Sequence, residues 1–208
     1  IKELVYKNGS LRGILGSAVE NLFHQFGFDL KTADKISGMS TKEAESKLKW
    51  LKDFGGRMIV LGDSDYPEML KEIYDPPACL YTIGNTSCLN DFCIAMVGAR
   101  KTSKLGEDMA KKLAGELAAS GVTVVSGFAY GIDINAHLGA LKAGGSTAAV
   151  LGSGLGAIYS KGPIKYINDV CRDGCIISEY DPDETSLYYN FSNRNRILPG
   201  LSYGSVVV

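Results

Sequence analysis

The chain has 208 residues, 45% hydrophobic and 22% charged, with 22 Lys plus Arg against 23 Asp plus Glu for a net charge of -1. This length holds one full α/β domain with an appendage or two small domains, and the charge balance excludes a basic coat or an acidic tail, so any nucleic-acid contact must be local. No apolar run approaches the roughly 18 residues of a membrane span and no basic-then-apolar leader opens the chain, so a soluble, cytoplasmic protein is expected.

Residues 1–54 carry apolar side chains at helical spacing: Leu15, Val19, Leu22 and Phe23, then Ala44, Leu48 and Leu51. Ser40 or Thr41 offers a helix cap and Gly55-Gly56 a stop. Two to four short helices are expected, forming a small N-terminal domain. His24 has no carboxylate or cysteine partner nearby and reads as a packing or surface histidine. Residues 57–61 read as a strand, a short helix runs to about Ile73, Asp75-Pro76-Pro77 breaks the chain, and residues 79–85 resume as a strand. No linker separates these elements from the strands and helices beyond Phe92, so they are expected to extend the same sheet.

From Phe92 onward strands and helices alternate, which implies parallel pairing and right-handed crossovers. Cys93-Ile94-Ala95-Met96-Val97 runs into Gly98-Ala99-Arg100. The apolar run 122–125 leads into Ser126-Gly127-Phe128-Ala129-Tyr130-Gly131-Ile132-Asp133, and Thr147-Ala148-Ala149-Val150-Leu151 leads into Gly152-Ser153-Gly154-Leu155-Gly156. In a parallel sheet these glycine loops share one edge, where a helix N-terminus suits an anion. Any one of them is equally explained as a tight turn; three in register, with Arg100 in one, point to a phosphate-binding crevice. The helix after Arg100 carries Leu105, Met109, Leu113 and Leu117 on one stripe, the pattern of a core-facing side. The next helix carries Ile134, Ala136, Leu138, Ala140 and Leu141, small enough for close packing. A helix over about 164–172 and a strand over 175–178 come next.

The loops exclude some chemistry. Gly152-Ser153-Gly154-Leu155-Gly156 has the wrong spacing for a dinucleotide fingerprint and comes late in the sheet, and no P-loop pattern occurs, so neither a nicotinamide cofactor nor P-loop ATPase chemistry is expected. Five cysteines, Cys79, Cys88, Cys93, Cys171 and Cys175, lack CxxC pairs and read as reduced, partly buried thiols. Asp133 and His137, four apart on one helix, would suit a general base or half a metal site; the carboxylate is equally explained as a helix-start residue and the structural role is favoured. Phe191-Ser192-Asn193-Arg194-Asn195-Arg196 offers planar donors to phosphate beside the aromatic faces of Tyr188, Tyr189 and Phe191. Arg194 and Arg196 would also suit pairing with Glu179, Asp181 or Asp183. The first residue is Ile1 and the last are Val206-Val207-Val208, so the chain is expected to be part of a longer protein.

Together these segments resemble the DNA processing protein A (DprA, or Smf) family. The matching residues are Tyr66-Pro67 with Leu70 and Ile73; Asp75-Pro76-Pro77 and Leu80-Tyr81; Val97-Gly98-Ala99-Arg100; Ser126-Gly127, Ala129 and Gly131-Ile132-Asp133; Ala136-His137 with Ala140-Leu141; Ser178-Glu179; and Phe191, Arg194-Asn195-Arg196 and Gly200-Leu201-Ser202. The resemblance implies an extended Rossmann-like α/β fold over residues 55–208, a mainly parallel sheet flanked by helices and preceded by the small helical domain. It implies single-stranded DNA as ligand, a RecA-type recombinase and a homodimer as partners, and neither catalysis nor a bound cofactor. The family's DNA-contacting arginine carries to Arg100 and its lysine to Lys161. Gly98, Ser126, Gly127, Gly131, Arg194 and Arg196 would complete the DNA-binding pocket. Ala99, Gly156, Ser160 and Ser192 depart from the residues usual at those positions. The alternative reading is an enzyme of a nucleotide or phosphoribosyl substrate in the same crevice.

Overall fold

The computed structural model describes residues 17–38, 41–159 and 164–208; the expected cap at Ser40 and the cation Lys161 lie outside them. Among these residues three helices come first: α1 (Val19–His24), α2 (Leu30–Ser37) and α3 (Thr41–Asp53). Asp29 caps α2 by accepting from the Thr32 N–H. Buried Leu22 and Ala33 join α1 to α2, and Leu51 of α3 packs with Ile83 against the sheet. Then come β1 (Gly56–Val60), α4 (Glu68–Lys71), β2 (Cys79–Gly84), β3 (Cys93–Val97), α5 (Lys104–Ala119), β4 (Thr123–Ser126), α6 (Ile132–Lys142) and β5 (Thr147–Val150). The chain ends with α7 (Ile167–Asp173), β6 (Cys175–Ser178), α8 (Tyr188–Arg194), α9 (Ile197–Gly200) and β7 (Gly204–Val207).

Among the described residues the strands form one seven-stranded sheet in the order β1-β2-β6-β5-β4-β3-β7. β3 to β7 run parallel. β1 and β2 continue the sheet beyond β6 as antiparallel strands, the extension expected from the missing linker. β4, β5 and β6 are buried throughout because helices or loops cover both faces, which is why they read as unbroken apolar runs. Alternation divides them. Ala148 and Val150 face a core shared with Tyr66, Leu70 and Ile197, while Ala149 faces the core under α3, α6 and α7. The chain crosses from β6 to the far side of β3 to make β7, so the strand order reverses between β3 and β7.

α5 departs from expectation. Its buried stripe is Ala110, Ala114 and Ala118, whereas Leu105 is 72% and Met109 40% exposed; only Leu113 and Leu117 lean on the core. The cause is the close approach of α6: a methyl group at Gly139 would collide with the Lys111 backbone, its Cα 2.8 Å away. Backbones that near leave room for alanine and glycine, and the bulkier leucine stripe is turned aside.

Candidate nucleic-acid interface

The turn after β4 is held open at its centre by two unusual backbone positions. Gly131 has φ +90, and a Cβ there would overlap the carbonyl of Ala99 and lie 2.6 Å from that of Arg100. This close approach lets the Ile132 N–H donate to the Ala99 carbonyl at 3.2 Å, while Ile134 and Asn135 donate to the Ala129 and Gly131 carbonyls. These amides of the α6 start are therefore engaged by protein. Phe128, at φ 56, tolerates a conformation rare for a bulky residue because its ring is buried, 5.7 Å from that of His137.

The anion in this turn is the protein's own Asp133. Burial raises its carboxyl above the ordinary range, against the Arg194 guanidinium and the N–H groups of Ala129 and Gly127. Gly127 must lack a side chain: a Cβ would lie 2.5 Å from the Asp133 carboxylate and 2.7 Å from Arg194. Arg194, only 4% exposed, donates from Nη1 to the Gly127 carbonyl at 2.9 Å, and burial pushes its guanidinium down to about 10. Its Nε has no hydrogen-bond partner among the described residues. Arg196 holds Glu179 in a fork of two 2.6 Å bonds and reaches the Asp75 carbonyl at 2.9 Å. Ser126 is fully buried, its hydroxyl donating to the Met96 carbonyl at 2.6 Å. Arg194, Arg196 and Ser126 thus point inward, whereas Gly98 and Arg100 are exposed.

Arg100 is different in kind. Its guanidinium lies 4.7 Å from the centre of the Phe191 ring, and among the described residues no carboxylate pairs with it. The ring can close down because Gly152 has no Cβ, which would stand 2.8 Å from it. Arg100, Ala129 and Phe191 form a ridge between two cavities. One, of about 560 Å³, lies at the reversal between β3 and β7 and is lined by Gly98, Asp133, Ser192, Asn195 and Ser205. The other, of about 480 Å³, is walled by Gly127, Phe128, Tyr130, Leu151 and Gly152. The three glycine loops do meet on one edge, and the crevice beyond carboxyl strand ends at such a reversal is where α/β sheets bind ligands. Tyr188 on the first cavity is 90% exposed and Tyr130 on the second 62%. Tyr130 was not singled out from the sequence; an aromatic residue between the glycines of the turn was the available signal.

His137 faces inward. It is fully buried, with Nδ1 2.6 Å from the Thr147 hydroxyl, and that hydroxyl donates its own proton to the Val124 carbonyl. Nδ1 must therefore carry the hydrogen, leaving Nε2 bare and without a partner among the described residues. Burial holds the imidazole neutral, pushed down to about 3. Among the described residues no group of three or more His, Cys, Asp or Glu side chains could hold a metal, and no helix is long and apolar enough to cross a membrane.

The family model described as DNA recombination-mediator protein A matches residues 57–208. The chain belongs to this family, DprA/Smf. Protein Smf of Escherichia coli (strain K12) is 36% identical over 188 residues, which cover 90% of this chain and 50% of that protein. DNA processing protein DprA of Streptococcus pneumoniae is 41% identical over 145 residues, covering 70% and 51%. The chain therefore spans about half the length of these curated relatives. An X-ray structure of the S. pneumoniae protein superposes with a TM-score of 0.75 at 30% identity, over 100% of this chain and 77% of that one. A structure of DNA processing protein A from Helicobacter pylori, concerned with that protein's single-stranded DNA binding mode, gives 0.65 at 30% identity, over 73% and 68%.

Proposed function

We propose that this chain is an extended Rossmann-like module that binds single-stranded DNA across the Arg100–Phe191 ridge, and that in the cell it protects the strand and assists a RecA-type recombinase. One observation carries the reading. Arg100 is the exposed guanidinium between the two cavities, without an ion-pair partner among the described residues and stacked on an aromatic ring. A planar cation fixed in this way suits phosphate oxygens. The exposed rings of Tyr188 and Tyr130 on either side offer stacking faces to bases, which only an unpaired strand presents. The single-stranded DNA binding described for the H. pylori protein supports it. On this reading residues 55–208 carry the DNA site and residues 1–54 form an appended helical domain. Lys161 would add a second cation, and Arg194 and Arg196 serve by positioning the turn rather than by touching the strand.

The test is a titration of labelled oligothymidylate at several salt concentrations, with a matched duplex in parallel. Arg100→Ala should weaken single-strand binding by roughly 1.5 to 3 kcal/mol, the worth of a hydrogen bond to a charged group. It should also flatten the slope of log affinity against log salt by about 0.7, the share of one neutralised phosphate. A folded Arg100→Ala protein that keeps both affinity and slope, or equal affinity for the duplex, would refute the proposal.

A further inference from the structure

The third glycine loop is held in place from outside the crevice. Two of its amides are already committed: the Gly154 N–H donates to the Glu184 carbonyl and the Gly156 N–H to the Pro182 carbonyl, each at 2.9 Å. The two backbones lie so close that a Cβ on Gly154 would stand 2.5 Å from the Pro182 carbonyl and overlap that of Asp181. Residues 181–184 therefore set where this loop lies. The loop and the turn after it supply Gly152, Ser153 and Ile158 to the wall of the second cavity, which Arg100 and Lys101 also line.

The 181–184 segment is gripped in turn by α3. The Lys47 Nζ holds the Asp181 carboxylate at 2.9 Å, and Trp50, three positions on and on the same helix face, meets Pro182 and Asp183 around a small cavity of about 330 Å³. The indole is stacked on Phe54 with ring centres 5.0 Å apart and leans on the core that contains Leu155 and Ile158. Side chains 26% and 40% exposed make this ion pair worth little as stability. What it supplies is register, because it joins a helix before β1 to a segment beyond β6.

We propose that Lys47 and Trp50 are positioning residues for the DNA site: α3 clamps residues 181–184, and through them fixes the third glycine loop where its side of the second cavity meets the strand. The inference rests on the single-stranded DNA reading above. It gives a helix before the sheet a part in binding without contact to DNA. Lys161 comes shortly after Gly156 in the sequence, so the same clamp governs the reach of that cation. A loosened loop must be ordered again each time a strand binds, and that cost appears as lost affinity.

Trp50 is the single tryptophan of the chain, so its emission reports the clamp while labelled oligothymidylate reports the site. Lys47→Glu sets one carboxylate against another. It should move the emission to the red and weaken binding about 3- to 10-fold. Lys47→Arg keeps the ion pair and should leave the emission in place and the affinity within about twofold. Trp50→Ala should weaken binding as Lys47→Glu does. In a Lys161→Ala background neither variant should weaken it much further, because the loop they place no longer carries its cation; a contact that served stability alone would lower the melting temperature without this coupling. Unchanged affinity in Lys47→Glu, whether or not the emission moves, overturns the inference. So does a loss of the same size with and without Lys161, which would mark a general charge effect. If Arg100→Ala weakens binding and the α3 variants do not, only this inference falls; if Arg100→Ala is also without effect, the DNA reading falls with it.

Discussion

Lowering the pH from 7.5 to 5 should cost this fold about 2 kcal/mol through His137 alone. The imidazole is buried with one bare nitrogen, and burial takes it from the ordinary 6.5 to about 3. In the unfolded chain it binds a proton below pH 6.5, and in the folded chain only near pH 3. The unfolded state therefore holds more protons throughout that window. Stability is complete above 6.5 and is lost as the pH falls. At about 1.36 kcal/mol per unit of pKa, the loss is about 2 kcal/mol at pH 5 and about 4 kcal/mol by pH 3, where the folded imidazole is itself half protonated. Asp133 acts in the opposite sense: burial raises its carboxyl, so the folded state takes up that proton first and regains part of the loss between 3.8 and the raised value. Urea midpoints measured at pH 7.5 and 5 for the wild type and for His137→Gln should differ strongly in the first protein and little in the second. A wild-type midpoint with no more pH dependence than that of the variant would refute the reasoning. So would an imidazole resonance of His137 that titrates near pH 6.5 in the folded protein.

Gly131→Ala should destabilise by roughly 2 to 3 kcal/mol, because φ +90 and the Ala99 and Arg100 carbonyls both oppose a side chain; thermal unfolding would show a drop of several degrees, and an unchanged transition would mean that the two loops can separate freely. Arg196→Ala should cost roughly 2 to 3 kcal/mol, less than a fully buried pair since the arginine side chain is 29% and Glu179 14% exposed. Its DNA affinity, read below the melting range, should stay within about threefold; a tenfold loss would place Arg196 on the strand. The salt slope for oligothymidylate should be shallow, since Arg100 and Lys101 are the cations lining the second cavity among the described residues. With Lys161 as the proposed third cation, three neutralised phosphates give about -2.1, and a slope beyond about -3 would require a wider basic track.

The parallel pairing past Phe92 was legible because β3, β4 and β5 are short apolar runs, each closed by glycine and alternating with helical stretches; the placing of β7 beyond β3 was not. The orientation of α5 was not. Leu105 to Leu117 makes the stronger hydrophobic stripe, but Gly139 lets α6 approach closely, and only the facing helix reveals that. The glycines of the crevice were visible as a group, yet their reasons were not. Gly127 makes room for Asp133 and Arg194, Gly131 for the Ala99 and Arg100 carbonyls, and Gly152 for Phe191, all of them partners distant in sequence. The two arginines four to six positions beyond Asn190 looked equivalent as a string, and their opposite surroundings arise from the helical turn that places one under Gly127 and the other beside Glu179.

How a chain of net charge -1 can offer a site to a polyanion depends on where its arginines are neutralised. Arg194 lies under electrostatic pull from Asp133, and Arg196 is forked to Glu179 and reaches Asp75. Both charges are answered inside the protein and contribute little field at the crevice. Arg194 even lowers the proton affinity of its neighbours, with burial and then this guanidinium keeping His137 neutral. Arg100 lies close enough for its charge to oppose that of Arg194, and with the carboxylates committed to the inner arginines it is left open to solvent. The Phe191 ring satisfies one face of its guanidinium without neutralising it, so the edge keeps its full charge for a ligand. The internal ion pairs thus shape the site indirectly. Removing Glu179 or Asp133 would free an arginine and lower the stability of the turn, whereas removing Arg100 would take away the outward-facing cation and leave the packing beneath it intact.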